Sequence, residues 1–238
     1  MKPLYLDRSI SQNRSFSLKR TSEKNFLNVW HFHSEIELVV LLKSSGVRYI
    51  GDSIEPFKEG EIVLIGKNVP HVWMNDQAYF EPKSKLRAEA MVIHFREDFA
   101  GDDFWKVPEL ALIKSLLNKA GRGVLFDGDT AIPFIEKIVK LEKERGFKRI
   151  MGLFDLLYEM AREKDHRMLS GSGYQIDFTK NEKQRLMEVY NYLLNNFKKP
   201  ITLSEVADIA CMNPSAFSRY FKRVNRKTLT TYKIGRAS

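Results

Sequence analysis

Two periodicities divide the chain. From about Leu27 to Phe95, short β-branched and aromatic runs (FLNVWHFH, IELVVLL, VRYIG, EIVLIG, HVWMN, RAEAMVIHF) alternate with clusters of Gly, Pro, Asp, Asn and Lys. That is the pattern of strands separated by turns. So many short strands with no long helix between them predict a small closed barrel or a sandwich. From Pro108 the period becomes helical: PELALIKSLLNKA, AIPFIEKIVKLEKER and FKRIMGLFDLLYEMARE repeat apolar residues every three or four positions. In the last of these, Ile150, Leu153, Phe154, Leu157, Met160 and Ala161 form one continuous stripe. Such stripes serve either to cover the barrel or to pair with a second subunit.

The helical pattern stops near Lys164. DHRMLSGSGYQIDFTK, centred on Ser170-Gly171-Ser172-Gly173, has linker composition. The predicted fold is therefore α+β: a ligand-sensing β-barrel over 1–105, a helical connector and dimerisation region over 106–165, a linker over 166–180 and an all-α domain over 181–238.

Charge sharpens this division. Of the formal net charge of +9, residues 181–238 hold most, with 11 Lys/Arg against 4 Asp/Glu, and no acid follows Asp208. A near-neutral body with a basic end predicts a polyanionic partner for that end alone. The longest apolar stretches, such as Ile36–Leu42, are too short to span a bilayer. MKPLYLDRSISQNRS lacks the apolar core of an export signal. One cysteine, Cys211, excludes an internal disulfide framework and suits a reducing compartment. The expectation is a cytoplasmic protein without a membrane partner.

ITLSEVADIACMNPSAFSRYFKRVNRKT is the most specific stretch. Thr202-Leu203-Ser204-Glu205 is a capping box, which starts a helix at about Leu203. Leu203, Val206, Ala207 and Ala210 would form its inner face. Asn213 then caps a second helix with Pro214 at its first position. Phe217, Tyr220, Phe221 and Val224 would be buried, while Ser215, Ala216, Ser218, Arg219, Lys222 and Arg223 stay outside. Two short helices joined by a turn at Cys211–Asn213 have helix-turn-helix form, with the second helix suited to the DNA major groove. Cys211 is expected to be a small buried residue at that turn. Arg219 can offer a bidentate fork to a guanine edge. Ser215 and Ser218 share its face. Lys222, Arg223, Arg226, Lys227 and Thr228 lie toward the far end, placed for phosphates, whose contacts position without reading sequence.

This stretch resembles the first helix-turn-helix of the AraC/XylS family of bacterial regulators, in which "AxxxxMSPSxFSRxFKxxTGKT" is common. The resemblance implies that Ser215, Ser218 and Arg219 read bases and that Phe217 and Phe221 belong to the core. It also implies a homodimer, double-stranded DNA as partner and a small-molecule effector. Sugar derivatives are a frequent effector class in that family, although no residue here points to one. The family pairs two such units. This sequence ends at TTYKIGRAS, so only the first is expected.

A second cluster lies in the strand-rich part. His31, His33, Glu35 and Glu37 alternate within WHFHSEIEL and would share one face of a strand, as would His71 and Asn75 of a later one. His31-x-His33-x3-Glu37, then Gly60-x5-Gly66 and His71-x3-Asn75, resembles the paired motifs of the cupin barrel. It departs at Gly66, where Pro is usual, and at Asn68, where Gly is usual. The resemblance implies that His31, His33, Glu37 and His71 hold one divalent ion, a donor set that suits Zn, Fe, Mn or Ni. The other reading needs no cofactor: the same residues, with Trp73, line an effector pocket. His94 and His166 belong to no pattern. The sequence thus predicts a DNA-binding transcription regulator and no enzyme. The alternatives are a metal-dependent cupin enzyme with a vestigial tail, or a dimerising fragment with weak DNA binding.

Overall fold

The computed structural model describes residues 4–8, 14–101, 103–171, 185, 188–189, 192–193, 196, 201–225 (side chains to 222) and 228–230. The chain forms two compact units, a larger one of Tyr5–Ser170 and a smaller one of Gly171–Ser238 together with the first four residues.

The larger unit holds two antiparallel sheets. One has the order β1 (Leu4–Tyr5), β3 (His31–Phe32), β8 (His71–Asn75), β5 (Gly46–Ile50), β6 (Ser53–Phe57). The other runs β11 (Arg167–Met168), β10 (Val124–Phe126), β7 (Ile62–Ile65), β4 (Ile36–Lys43), β9 (Ala88–Phe95), β2 (Phe16–Glu23). The expected closed barrel is not found among the described residues. β1, β3 and β11 are two residues long, too short to carry a ladder from one sheet into the other.

Strand alternation gives the six-stranded sheet two unlike faces. Phe16, Ile36, Leu38, Ile62, Ile93 and Phe95 point to one side, into a continuous apolar core. Three helices close that core: α1 (Ala111–Ala120), α2 (Gly128–Lys143) and α3 (Gly146–Arg162). The α3 stripe read from the sequence faces this core, with Leu153, Leu157 and Met160 fully buried and Ile150, Phe154 and Ala161 packed at its edge. Residues 106–165 therefore share one core with the strands, and β10 and β11 extend the same sheet. The opposite face carries Ser17, Lys19 and Thr21 of β2, Glu37 and Val39 of β4, and Ala90, Val92 and His94 of β9, all lining a cavity.

β2 escaped the sequence pattern because Arg20 and Ser22 follow Phe16 and Leu18 on its core-facing side, so FSLKRTSE alternates over only two apolar residues. Gly66 approaches the end of α1 so closely that a Cβ would lie 2.7 Å from the Gly121 nitrogen. That contact explains glycine there. Asn68 adopts φ 59°, a left-handed conformation that Asn tolerates better than most side chains.

In the smaller unit, residues 185, 188, 189, 192, 193 and 196 are helical. They are followed by α4 (Leu203–Ile209) and α5 (Pro214–Asn225). The capping box is complete: Glu205 N–H donates to Thr202 Oγ1 (3.2 Å), and Thr202 N–H donates to Glu205 Oε2 (2.6 Å). Val189, Leu193, Val206, Ala207, Ala210, Phe217 and Phe221 are fully or almost fully buried. Two expectations fail here. Leu203 is 38% exposed; as the first residue of α4 it precedes the turn whose inner face Val206 and Ala207 supply. Cys211 is exposed, because it takes φ 52° and turns its side chain outward.

Candidate functional site

The helix pair and the sheet cavity each assemble a set of sequence-predicted residues. In the first, α4 ends in a Schellman turn: Met212 N–H donates to Ala207 O (2.9 Å) and Cys211 N–H to Asp208 O (2.9 Å). Asn213 Oδ1 then accepts from the Ala216 N–H at 2.8 Å and starts α5. With Phe217, Tyr220 and Phe221 facing inward, Ser215, Arg219 and Lys222 are exposed and Ser218 is half-buried. Thr228 is exposed beyond the helix. The Arg223 side chain and all of Arg226 and Lys227 lie outside the described residues.

The second set surrounds a cavity of about 570 Å³ in the larger unit. His31 from β3, Glu37 and Val39 from β4, Trp73 from β8 and His94 from β9 line it. His31, His33, Glu37 and His71 are all buried, and a donor atom from each lies within 4.8 Å of the others. Pairing of His31 opposite His71 on neighbouring strands brings the first and last of these together.

Backbone carbonyls orient the three rings. His31 Nδ1 lies 2.7 Å from Val29 O, His33 Nδ1 3.0 Å from Glu35 O, and His71 Nδ1 2.8 Å from Val69 O. A carbonyl only accepts, so each Nδ1 carries the proton and donates. In the neutral ring the Nε2 of His31 and of His71 then turns a lone pair to the cluster, while the Nε2 of His33 faces the Glu37 carboxylate. Asn68 helps to hold His33, since its N–H donates to His33 O at 2.8 Å.

Glu37 sits at the centre. Its Oε2 is 3.0 Å from His33 Nε2 and 2.7 Å from His94 Nε2, and its Oε1 is 3.6 Å from His71 Nε2. Burial alone would raise its carboxyl, but His71 and the hydrogen bonds from the imidazoles outweigh that and hold it well below the usual carboxylate range. Burial, reinforced by the nearby His71, pushes His31 down to about 3. His31 is therefore neutral at neutral pH.

These residues fit a divalent ion. Three imidazoles and one carboxylate converge, each ring braced from behind by a carbonyl as metal-binding histidines commonly are. The span of 4.8 Å approaches that of a coordination sphere with bonds of about 2.0–2.2 Å. His71 Nε2 is buried with no hydrogen-bond partner. A buried lone pair without a donor is costly, and a cation would satisfy it.

Three sequence readings change. Glu35 does not join the cluster: β3 ends at Phe32 and β4 starts at Ile36, so the strand alternation breaks between them. Its Oε1 accepts from Ser34 Oγ at 3.0 Å. Asn75 instead latches loops, donating to Ser44 Oγ and accepting from Phe26 N–H. His94 joins the site although no motif contained it. The available signal was strand register, which sets His94 directly opposite Glu37, and alternation with Ala90 and Val92 on the cavity face.

No protein family and no curated protein matches the sequence. Among solved structures, ToxT from Vibrio cholerae is 10% identical, covers 93% of this chain and 99% of its own, and has a TM-score of 0.39. An unsaturated-fatty-acid-bound ToxT is 12% identical over 94% and 97%, with a TM-score of 0.36. The AraC-like transcriptional activator CuxR is 9% identical over 86% and 66%, with a TM-score of 0.34. Likeness at this level decides nothing about activity, which has to be argued from the residues themselves. No helix among the described residues is long and apolar enough to cross a membrane.

Proposed function

We propose that this protein is a DNA-binding transcription regulator of AraC type, controlled by a small molecule bound in the cavity of its larger unit. The observation that carries the reading is the helix pair α4–α5. A complete capping box, a Schellman turn and an Asn-Pro start fix two short helices, and α5 turns Ser215, Arg219 and Lys222 outward, away from the buried Phe217, Tyr220 and Phe221. Such a helix is built to enter a major groove, with Arg219 reading a base edge and Lys222 meeting phosphate. The cavity supports the effector half: its size suits a small ligand, and it sets polar and charged groups beside the apolar Phe26, Val39, Trp73 and Val92. Apolar side chains exposed on the helices, among them Leu112, Ile132 and Phe147, support a homodimer.

Selection from a random duplex DNA pool at about 100 mM salt, where phosphate contacts are partly screened, tests the reading. An enriched motif should emerge and be lost in Arg219→Ala. Undiminished discrimination in that variant would remove Arg219 from base reading, and no enrichment at all would remove the regulator.

The His31, His33, Glu37 and His71 cluster favours a second reading, a metal-dependent cupin enzyme. Metal would supply Lewis-acid or redox chemistry there; the chain's own contribution is three oriented imidazoles and an ionised carboxylate. Metal analysis of purified protein separates the two readings. One ion per chain, lost in His33→Ala together with a turnover activity, would favour the enzyme. An ion without turnover would make it a structural or effector-binding part of the regulator.

A further inference from the structure

Two buried donors that line the cavity lack acceptors among the described residues. Trp73 is 7% exposed, lines the cavity and has no hydrogen-bond partner for its buried Nε1–H among the described residues. The buried Nε–H of Arg8, on the same wall, also lacks one. Both groups only donate. Buried donors left unmatched are costly, so an occupant that satisfies them has to bring acceptors.

Charge points the same way. Of the charged lining residues, Asp7, Arg14, Lys19 and Glu23 are exposed, where solvent screens them. Inside, Glu37 is engaged by the imidazoles of His33 and His94. Arg8, half-buried, forms no ion pair with any described residue. An uncharged polyol would leave that guanidinium without a counter-charge, whereas a carboxylate is acceptor-only, anionic and matched in shape to its fork. Phe26, Val39 and Val92 add apolar wall for the rest of such a molecule.

We propose that the effector cavity takes a small carboxylic acid, its carboxylate on Arg8, a further oxygen accepting from Trp73 Nε1, and its apolar body against Phe26 and the valines. The proposal rests on the reading of this cavity as an effector site.

Calorimetry on the full chain with a series of aliphatic and aromatic monocarboxylic acids of graded size tests it, with their methyl esters and a set of neutral sugars as counterparts. Acids should bind and esters should lose at least about tenfold, as the loss of a charge-assisted hydrogen bond requires. Arg8→Gln should weaken acid binding by a similar factor, with Arg8→Lys recovering part of it. Trp73→Phe, which keeps the ring but not the N–H, should cost several-fold, with circular dichroism confirming that each variant is folded. Equal binding of acids and esters, preference for sugars, no binding by any acid, or indifference to Arg8→Gln would each overturn the assignment. DNA selection with and without the acid is read separately. Acid binding that leaves DNA selection unchanged would break the regulatory link and leave the ligand assignment standing, whereas DNA selection that responds only to a sugar would do the reverse.

Discussion

The two units of this protein use their interiors in opposite ways. The larger one buries carboxylate, guanidinium and imidazole groups: His31, His33, Glu37, Arg48, Glu61, His71 and His94 are all within its interior. The smaller one, among its described residues, buries none; its polar chemistry sits on the outer face of α5. The difference follows from the partner each suits. A small molecule can be enclosed, so the groups that recognise it can be buried and held by backbone carbonyls. A DNA duplex cannot be enclosed, so on the proposed function its readers project from the outer face of α5, opposite the buried Phe217, Tyr220 and Phe221. Burying a charge costs several kcal/mol unless it is paired and hydrogen-bonded. The larger unit meets that condition at Arg48, which donates to Glu61 and Glu55. It meets it again at Glu37, through the imidazoles.

The sharpest way to break this comparison is to damage the apolar interior. Phe217 is fully buried, with its ring 5.4 Å from that of Phe221. Phe217→Ala should destabilise the smaller unit by about 3–5 kcal/mol, the usual cost of a large core truncation. Followed by amide hydrogen exchange, protection should be lost from α4 and α5 and kept in the sheets. Loss of protection throughout would mean that the units do not fold independently.

Acid should act on the other unit. His31 is held down to about 3 from its ordinary 6.5, so between those values the unfolded chain takes up a proton that the folded chain refuses. Stability is then fully present above about pH 6.5 and declines as pH falls toward 3, by at most about 1.4 kcal/mol per pH unit for that one proton. Glu37, held below its ordinary 4.5, adds a second loss that starts below that value and continues as the pH falls. Thermal unfolding across pH 7.5 to 4 should show the sheets of the larger unit losing stability. His31→Asn should flatten the upper part of the decline. An acid loss of equal size in α4 and α5 would contradict the contrast between the two interiors.

How much of this was legible in the sequence differs by unit for the same physical reason. The helix pair announces itself locally: cap, inner face, turn and second cap are neighbours in sequence. Among its described residues Leu203 and Cys211 were misplaced, Ala216 and Ser218 are half-buried, and the Val224 side chain lies outside the described residues. The helical stripe of α3 was equally plain, because its apolar period is set by one core. The cavity is non-local. His31, His33, Glu37 and His71 could be grouped by their resemblance to known motifs, but His94 enters only through the pairing of β4 with β9, which no spacing encodes. β2 was hidden because the face it turns to the cavity is polar and its other face turns polar after Leu18, at Arg20 and Ser22, so alternation ends after two apolar residues. Barrel closure was over-read, since counting strands says nothing of how long each ladder runs.

The smallest expected effect has the opposite sign and belongs to the unit whose interior is already complete. Cys211 occupies the position after the C-cap of α4 at φ 52°, with both Schellman hydrogen bonds formed around it. Left-handed backbone costs a side chain with a Cβ roughly 1–2 kcal/mol, and glycine escapes that cost. Glycine also loses more backbone entropy on folding, which takes back roughly 0.5–1 kcal/mol. Since the cysteine side chain is exposed and fills no part of the core, nothing is lost in packing. Cys211→Gly should therefore stabilise the smaller unit by a few tenths of a kcal/mol to about 1. The upward shift should be seen in denaturant unfolding of the smaller unit and be absent from the larger one. A decrease would show that the thiol makes a contact worth more than the backbone relief, and would move the boundary between inside and outside drawn for this turn.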